Sequence, residues 1–450
     1  MKLTLKKIEL TPPQILVLGF AAIILVGTIL LTLPIASATG VPHSFLNALF
    51  TATSATCVTG LVVVDTGSSY TMFGQIVIIT LIQVGGLGFM TMATLFAFML
   101  KKRISLKERL VLQEAMNQGS MEGIVRLIRK VIRYSLTIEL IAAVIFSIRW
   151  SMDLGPAKGI YYGIWHAISF FNNAGFDLFG SVTGPFSSLT SYASDPTINI
   201  VSMGLIVLGG IGFIVISDLL DFRVSKRLSL HSKVVLSTTG FLIVVGAIVI
   251  FIFEFTNQKT FGPLNWSGKV LAAFFQSVSP RTAGANTIDI GGMRQASQFF
   301  TIILMFIGAS PGSTGGGIKT TTFTTLVGAT IAMIRGKEDI VLFHYRLGKD
   351  RILKAITLTM IALFLVIIVS MVLSTTEDHP FLMILFEVTS AFGTVGLTMG
   401  LTPDLSDIGK VMIALMMFIG RLGPLTLAYA LGPKTEKELY RYPEGKITIG

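Results

Sequence analysis

The sequence predicts an all-α integral membrane protein built from four parallel repeats, each consisting of a helix, a loop and a second helix. Three observations support this fold class. The chain of 450 residues is 52% hydrophobic and only 13% charged, with a mean hydropathy of +0.76, whereas soluble domains carry about 25% charged residues. Long apolar runs follow one another along the whole chain, and one short segment recurs four times at nearly equal spacing.

The first apolar run shows how the spans are recognised. Gln14 to Leu33 contains twenty residues without a charge, which is about the length needed to cross the hydrocarbon core of a bilayer. Similar runs lie at 73–100, 134–148, 198–217, 235–253, 299–309, 355–373 and 411–431. Together they predict eight transmembrane helices, two in each repeat.

Basic residues collect in alternate connections between these runs. Of the 35 Lys and Arg residues, 26 lie in the N-terminus, the C-terminal tail and three internal segments at 101–133, 220–234 and 334–354. Cytoplasmic loops of membrane proteins carry such an excess, so both termini are expected in the cytoplasm and the recurring loops on the outside. The net charge of +11 therefore reflects topology and contact with the lipid bilayer, and nucleic acid is not an expected partner.

The recurring segment ends in a glycine with an aromatic residue ten positions before it. The pairs are Phe50 and Gly60, Trp165 and Gly175, Phe274 and Gly284, and Phe386 and Gly396. The glycines lie 115, 109 and 112 residues apart, which gives a repeating unit of about 110 residues. The predicted divisions are repeat 1 (1–100), a basic cytoplasmic connection (101–133), repeat 2 (134–219), repeat 3 (220–330), repeat 4 (331–432) and a cytoplasmic tail (433–450).

A short apolar segment precedes each of these glycines, at 44–55, 160–171, 266–278 and 380–391. About twelve residues are too few to span a bilayer, so the segments are predicted to be re-entrant pore helices that enter the membrane and return. Irregular backbone at membrane depth has to line protein or water, and the negative C-terminal ends of four such helices favour a cation. The full prediction places the four repeats around one pseudo-fourfold pore.

The residues that end each loop are candidates for a cation selectivity filter made of backbone carbonyl oxygens. They are Val58, Thr59 and Gly60; Asn173, Ala174 and Gly175; Thr282, Ala283 and Gly284; and Thr394, Val395 and Gly396. Carbonyl oxygens can replace the hydration shell of an ion, and glycine permits the backbone turn that aims them inward. None of the four triplets contains Asp or Glu, which favours K⁺ over Na⁺ or Ca²⁺.

The second apolar run of repeat 3 is interrupted after Phe306. Pro311 and five glycines within 308–317 cannot continue a helix, so this segment is predicted to unwind at mid-membrane, as a gate or as a static broken helix. The candidate gate residues are Gly308, Ser310, Pro311, Gly312, Ser313, Thr314, Gly315, Gly316, Gly317 and Lys319, together with Arg421 from the last run. A phosphate-binding loop is not expected, because Ile318 separates the last glycine from Lys319 and no strand precedes the segment.

Several charged residues lie at membrane depth, where charges are costly and usually functional. Arg421 is expected either to form a positive barrier below the filter or to belong to a buried ion pair. Lys319 either takes part in the gate or extends to the inner interface. Glu387 is predicted to support the filter from behind, while Arg281 and Glu139 have no assigned role.

These segments resemble the Trk/Ktr/HKT family of potassium transporters. The resemblance rests on TCVTG at 56–60, NNAGF at 172–176, RTAGA at 281–285, GTVGL at 393–397, GASPGSTGGGIKT at 308–320 and GRLGP at 420–424. It implies potassium-selective uptake across the bacterial cell (plasma) membrane, often sodium-dependent, with K⁺ as the transported ion and Na⁺ as an activator. In some plant relatives a serine replaces the first filter glycine and Na⁺ is carried, so Gly60 favours K⁺.

The resemblance also implies partners. Members would form a homodimer with one pore in each subunit and would associate with a cytoplasmic ring of nucleotide-binding, KtrA-like regulatory subunits that controls the loop at 308–320. This chain has no dinucleotide-binding fingerprint, so a nucleotide is expected only on the partner. The basic segments 101–133 and 220–234 are candidate docking surfaces for the ring or for anionic lipid headgroups.

A sodium- or proton-coupled cation carrier with alternating access is the alternative function. Carriers usually have inverted repeats and intramembrane carboxylates, whereas the repeats here are parallel and their loops lack acidic residues. A membrane scaffold would leave the four glycine loops unexplained. The sequence contains no recognisable nucleophile–base pair, and its five histidines are scattered, so an enzyme is not expected.

Overall fold

The computed structural model describes residues 10–88, 90–94, 105–115, 123–337 and 339–431, together with residues 443, 445 and 448. The N-terminal lysines, part of the 101–133 connection and nearly all of the tail at 433–450 lie outside the described residues. The described part is mostly helical, and the sheet that it contains is a two-stranded hairpin. The all-α class predicted from the sequence is confirmed.

Each of the first two repeats begins with a long helix that is followed by a short one. Repeat 1 contains α1 (Pro12–Thr32), α2 (Phe45–Cys57), α3 (Thr66–Ser69) and α4 (Met72–Leu87), and α5 (Leu106–Ala115) follows it. Repeat 2 contains α6 (Ile124–Leu154), α7 (Pro156–Phe171), α8 (Pro196–Gly210) and α9 (Phe213–Ser225). Sequence signals start both short helices, since Ser44 Oγ accepts from Asn47 N at 3.2 Å and Pro156 occupies the first turn of α7.

The last two repeats have the same order of elements. Repeat 3 contains α10 (Leu230–Glu254), α11 (Trp266–Val278), α12 (Gln295–Phe306) and α13 (Thr320–Ile334). The hairpin strands β1 (Val341–Leu342) and β2 (Tyr345–Arg346) are antiparallel, with Val341 opposite Arg346. Repeat 4 contains α14 (Lys349–Thr376), α15 (Phe381–Gly393), α16 (Asp407–Leu422) and α17 (Pro424–Leu431). Short 3-10 helices occur at Pro34–Ala36, Phe179–Ser181, Thr190–Tyr192 and Thr402–Asp404.

The four predicted short helices are present as α2, α7, α11 and α15, and their C-terminal halves lie in the core. Phe50, Trp165 and Phe386 are buried, but Phe274 is 39% exposed and Phe275 is fully buried. The aromatic residue ten positions before the glycine is therefore buried in three repeats, and in repeat 3 its neighbour Phe275 takes the buried position.

Helix length and composition identify the membrane spans. Four helices are long and apolar enough to cross a bilayer: Pro12–Thr32, Val125–Leu154, Leu230–Glu254 and Lys349–Thr376. Two bent pairs meet the same criteria when each pair is taken as one span, α8 with α9 and α16 with α17. The chain is thus a multi-pass membrane protein, with up to six such spans among the described residues. The count of eight stays a prediction.

Breaks in the second helix are more general than the sequence indicated. The sequence predicted an interruption only in repeat 3, but α8 and α9 meet at 100° and α16 and α17 at 94°. Gly212 and Gly423 lie at these bends with φ of 91° and 84°, a region that glycine occupies without steric cost. A single glycine with positive φ is enough for a sharp bend. The sequence signal at these two bends was therefore one residue and not a glycine-rich run such as that at 308–317.

In repeats 2, 3 and 4, charged side chains link the start of the second helix to the end of the first. Glu377, at the end of α14, accepts from Ser406 N at 3.0 Å and Ser406 Oγ at 2.5 Å. Glu254, at the end of α10, accepts from Arg294 N at 2.9 Å. In repeat 2 the corresponding contact is an ion pair between Arg149 Nε and Asp195 Oδ2 at 2.7 Å. These contacts hold together the helix ends that flank the second, third and fourth glycine loops.

Candidate functional site

The four glycine loops share one backbone conformation. In each loop φ is positive at the glycine and at the residue two positions before it. The values are 58° and 97° at Val58 and Gly60, 59° and 66° at Asn173 and Gly175, 83° and 72° at Thr282 and Gly284, and 48° and 92° at Thr394 and Gly396. The residue between these two is not in the positive-φ region in any of the loops, so the four loops share an irregular backbone that regular helices and strands do not have.

This conformation is strained at Val58, Thr282 and Thr394, because a β-branched residue rarely adopts positive φ. Each such residue costs about 1–3 kcal/mol, and strain of this kind clusters at functional sites. A backbone hydrogen bond returns from every loop to the end of its short helix. The bonds are Thr59 N to Ser54 O, Ala174 N to Ser169 O and Val395 N to Ser390 O at 2.8 Å, and Ala283 N to Ser279 O at 2.9 Å.

The loops meet one another in a closed cycle. A Cβ atom added to any of the four glycines would collide with a carbonyl oxygen of the next repeat. The colliding pairs are Gly60 with Ala174 O, Gly175 with Ala283 O, Gly284 with Val395 O, and Gly396 with Thr59 O. Each glycine loop therefore lies against the next one along the chain, and the fourth lies against the first. The close approach and the positive φ together require glycine at these positions.

Serines at the ends of the short helices hold the loops, and sequence reasoning missed them. Ser54 Oγ accepts from Gly60 N and Ser390 Oγ accepts from Gly396 N, both at 3.1 Å. Ser169 Oγ donates to Phe176 O at 2.7 Å, and Ser279 Oγ donates to Ala285 O. A serine five or six residues before each glycine is visible in the printed sequence, so alignment of the four repeats on their serines could have found this set.

The intramembrane loop between Phe306 and Thr320 lies directly against the glycine loops. Cβ atoms added to Gly315 and Gly316 would strike the hydroxyls of Thr282 and Thr394. The Thr282 hydroxyl is also hydrogen bonded to the amide of Asn173 at 3.1 Å. The predicted gate residues are therefore adjacent to the first residues of the predicted filter.

Repeat 2 anchors one side of this intramembrane loop. Ser310 N donates to Gly210 O at 3.0 Å, Thr314 N donates to Gly209 O at 3.2 Å, and Phe213 N donates to Gly312 O at 2.9 Å. The three bonds occur at the break between α8 and α9, where helix ends leave backbone groups without intrahelical partners. The two broken helices thus satisfy each other at membrane depth.

Arg421 anchors the other side of the loop. Its guanidinium donates to Thr314 O in the loop and to Gly85 O and Gly86 O at the end of α4, the last at 3.0 Å. The buried ion pair considered for this arginine is wrong, because these partners are backbone carbonyls. One positive side chain thereby joins repeats 1, 3 and 4 beneath the glycine loops.

Lys319 folds back onto the loop that it ends. Its ammonium donates to Gly315 O at 2.7 Å and Gly316 O at 3.3 Å, so the expected alternative of extension to the interface is wrong. A cavity of about 250 Å³ lies beside this lysine and is also lined by Arg421, Pro311 and Phe392. Three basic residues, Lys319, Lys354 and Arg421, and the acidic Glu114 therefore line the space next to the loop.

The other charged residues singled out in the sequence lie around the glycine loops. Glu387 on α15 accepts from Thr398 Oγ1 at 2.7 Å and from Thr402 Oγ1, both in the segment that follows the fourth loop. Arg281, directly before Thr282, is buried, and its Nε and Nη1 atoms have no hydrogen-bond partner among the described residues. The position of Glu387 agrees with the predicted support role, which stays a prediction.

Comparison with known proteins relates this chain to one family over most of its length. Residues 12–437 match the family TrkH, described as a cation transport protein. The chain is 47% identical over 446 residues to Ktr system potassium uptake protein B of Bacillus subtilis (strain 168), with 99% of this chain and 98% of the relative covered. It is 42% identical over 448 residues to potassium/sodium uptake protein NtpJ of Enterococcus hirae, with 98% of each covered.

A solved structure has the same fold. The crystal structure of the potassium transporter TrkH from Vibrio parahaemolyticus superposes with a TM-score of 0.72 at 18% sequence identity. The match covers 96% of this chain and 87% of the other. The similarity therefore extends over nearly the whole fold.

Proposed function

This chain belongs to the TrkH family of cation transport proteins, and from that premise we propose that it carries K⁺ into the cell as the ion-translocating subunit of a Ktr-type system. The family resemblance expected from the motifs is confirmed. The relatives are named as transport proteins and not as enzymes, in agreement with the sequence. Potassium is the proposed ion because the relatives from Bacillus subtilis and Vibrio alginolyticus are both named Ktr system potassium uptake proteins.

The closed cycle of four glycine loops is the observation that carries this proposal. Twelve backbone carbonyls, three from each loop, would replace the hydration shell of K⁺ as it enters the filter. The residues are those predicted from the sequence: Val58 to Gly60, Asn173 to Gly175, Thr282 to Gly284 and Thr394 to Gly396. The short helices before the loops would add their negative C-terminal ends.

The gate in this proposal is the intramembrane loop with the two basic residues that hold it. Arg421 and Lys319 donate to loop carbonyls, so their charges lie next to the path that an ion would take below the filter. Release of these bonds would let the loop move away from Thr282 and Thr394. We propose that a cytoplasmic ring of nucleotide-binding subunits controls this release, since the relatives carry the name of a multi-component system.

Further proposals follow from the sequence and the relatives. We propose a homodimer with a pore in each subunit, both termini in the cytoplasm, and the bacterial cell membrane as the location. Sodium would act as an activator, because one relative is named a potassium/sodium uptake protein. The basic connections, of which the structure describes residues 105–115, 123–133 and 220–234, are the proposed surfaces for the ring or for anionic lipid headgroups.

Cation flux into proteoliposomes that contain only this purified chain would test the proposal. K⁺, Rb⁺, Na⁺ and Li⁺ are supplied in turn, without an imposed gradient of protons or sodium. We expect uptake of K⁺ and Rb⁺ to exceed uptake of Na⁺ and Li⁺. Uptake without preference would contradict the filter, and uptake that requires an imposed gradient would favour the coupled carrier.

A further inference from the structure

His166 lies on α7, the short helix before the second glycine loop, and the proposed filter and gate do not use it. The residue is fully buried. Its Nδ1 bonds to Tyr162 O, one turn back on the same helix, at 2.7 Å, and its Nε2 accepts from Leu178 N at 3.2 Å. A carbonyl oxygen only accepts and a main-chain amide only donates, so Nδ1 carries the proton and Nε2 is the acceptor. Both contacts therefore require the neutral imidazole.

Leu178, three residues after Gly175, bonds to α7 through both of its main-chain polar groups. Leu178 N donates to the imidazole, and Leu178 O accepts from Tyr162 Oη at 2.9 Å. Nearer the glycine, Ser169 Oγ donates to Phe176 O at 2.7 Å. The three side chains are four and three positions apart along α7, so they lie on one face of the helix. This face holds the backbone that follows the second glycine.

The position of His166 is polar and buried in all four short helices. It lies three residues before the serine that holds each loop, and its occupants are Thr51, His166, Gln276 and Glu387. Thr51 Oγ1 accepts from Tyr70 Oη at 3.2 Å, and Glu387 accepts from Thr398 Oγ1 at 2.7 Å. The amide of Gln276 has no hydrogen-bond partner among the described residues. His166 differs because its partner beyond the loop is a main-chain amide, so its bond sets the position of the backbone itself.

We propose that His166 is a positioning residue for the second glycine loop and that its bond to Leu178 N contributes to the preference for K⁺ over Na⁺. This inference rests on the proposed function. Ala174 N bonds back to α7 at 2.8 Å before Gly175, and the imidazole holds the backbone after it. Gly175 also lies against Ala283 O of the third loop. A shift of the second loop would therefore disturb carbonyl oxygens in two quarters of the filter.

The test compares His166→Phe with the wild-type chain. Phenylalanine keeps an aromatic ring against Trp150 and Phe179, whose centroids lie 4.9 and 4.8 Å from that of the imidazole, but it provides no acceptor for Leu178 N. We expect the preference for Rb⁺ over Na⁺ to fall about tenfold, which corresponds to about 1.4 kcal/mol and lies within the cost of a buried donor without a partner. Competition between the two ions for uptake into proteoliposomes measures this preference.

A pair of amide variants tests the reach of the side chain at this position. Glutamine can place its acceptor oxygen near the position of Nε2, whereas asparagine is one methylene shorter and reaches only as far as Nδ1. His166→Gln should therefore retain most of the preference, and His166→Asn should lose it as His166→Phe does. Equal preference in the two amide variants would overturn the proposal, also if His166→Phe does not fold.

Trp150→Phe is the control for packing. Trp150 is fully buried against the imidazole in the same aromatic cluster, but its Nε1 has no hydrogen-bond partner among the described residues. This variant should lower the temperature of thermal unfolding without changing the ion preference. An equal loss of preference in Trp150→Phe and His166→Phe would trace the effect to packing and would refute the role of the hydrogen bond.

The outcomes also separate this inference from the proposed function. A wild-type chain without potassium preference would contradict the proposed filter and this inference with it. A selective wild-type chain whose preference is unchanged in His166→Phe would refute only the role of His166.

Discussion

Two glycine-rich regions lie against each other at the centre of this molecule, and they are held in place in different ways. The glycine loops bond to their own short helices, over four or five residues, as in Thr59 N to Ser54 O at 2.8 Å. The intramembrane loop is held by distant partners, since Arg421 bonds to Thr314, 107 residues away, and to Gly85, 336 residues away. Local backbone bonds hold the first region, whereas the second is held by long-range bonds, from the main chain at the break between α8 and α9 and from the Arg421 side chain.

This difference matches the demands of a filter and of a gate. A filter has to keep carbonyl oxygens at fixed positions, so the glycine loops carry strain that the surrounding core maintains. A gate has to have two arrangements of similar free energy. The intramembrane loop is suited to this because some of its polar contacts come from distant parts of the chain, as in the bond from Arg421 to Thr314 O.

The largest expected effect comes from breaking the rigid region at Gly396. A Cβ at this position would collide with Thr59 O, and φ is already 92°. We expect Gly396→Ser to reduce the preference for K⁺ over Na⁺ by about tenfold or more, since clash and strain of about 1–3 kcal/mol displace the carbonyl ring. Competition between Rb⁺ and Na⁺ uptake in proteoliposomes measures this preference.

Gly400→Ser is the matched control. Gly400 has a similar φ of 98°, four residues further along, but a Cβ there would meet nothing within 4 Å. It carries the same backbone strain without the collision, so its ion preference should stay close to that of the wild type. An equal loss of preference in both variants would trace the effect to strain in the segment and would remove Gly396 from the filter.

A smaller effect is expected when the movable region is released at Arg421. Arg421→Gln removes the hydrogen bonds to Thr314 and to the end of α4 and the positive charge below the glycine loops. Hydrogen bonds from a charged group contribute about 1.5–3 kcal/mol each, so we expect basal K⁺ flux without a regulatory partner to rise about tenfold, with the ion preference retained. Flux and selectivity are measured in the same proteoliposomes.

Arg149→Gln provides the comparison for Arg421. Its guanidinium forms ion pairs with Asp153 and Asp195 at 2.9 and 2.7 Å, and the second pair links the end of α6 to the start of α8. Its loss should lower stability by about 1 kcal/mol or less without raising basal flux. If Arg421→Gln changed the ion preference as strongly as Gly396→Ser, the two regions would be one mechanical unit and the distinction between them would fail.

The smallest expected effect concerns Asp177, two residues after the second glycine loop. Burial raises the pKa of this carboxyl from 3.8 to about 7, and the nearby charge of Asp65 adds to the increase, although Phe179 N donates to it. The folded state thus favours the protonated acid. Its contribution to stability is present below about pH 4 and is lost as the pH rises toward 7.

Asp177→Asn should remove this dependence. The amide imitates the protonated acid, so the variant should match the wild type at pH 4 and unfold at a higher temperature at pH 8. Thermal unfolding of the detergent-purified chain across this range is the measurement. Parallel curves for the two proteins would mean that the carboxyl is equally acidic in the folded and unfolded states.

Much of the fold could be predicted because it depends on local chemistry. The short helices were recognised from their length and apolar character, and the glycine loops from residues that alone tolerate positive φ beside a neighbouring carbonyl. The recurring aromatic residue did not mark the buried position in repeat 3, where Phe275 is buried and Phe274 is 39% exposed, because the spacing does not state which face of the helix packs inward. The prediction from the sequence missed the bends at Gly212 and Gly423, since a glycine in an apolar helix can permit either close helix packing or a bend of the backbone.

The sequence by itself determined the membrane class, the four glycine loops and the unwinding after Phe306, because each follows from residue type within a short window. The tertiary structure alone decided the partners of Arg421, Lys319 and Glu139. A guanidinium or carboxylate at membrane depth has to find a counterpart, but the sequence does not state which distant segment supplies it. Packing of the repeats brings those segments together, and only then do the carbonyls of Thr314 and Gly86 become available to Arg421 and the amides of Gln83 and Asn172 to Glu139.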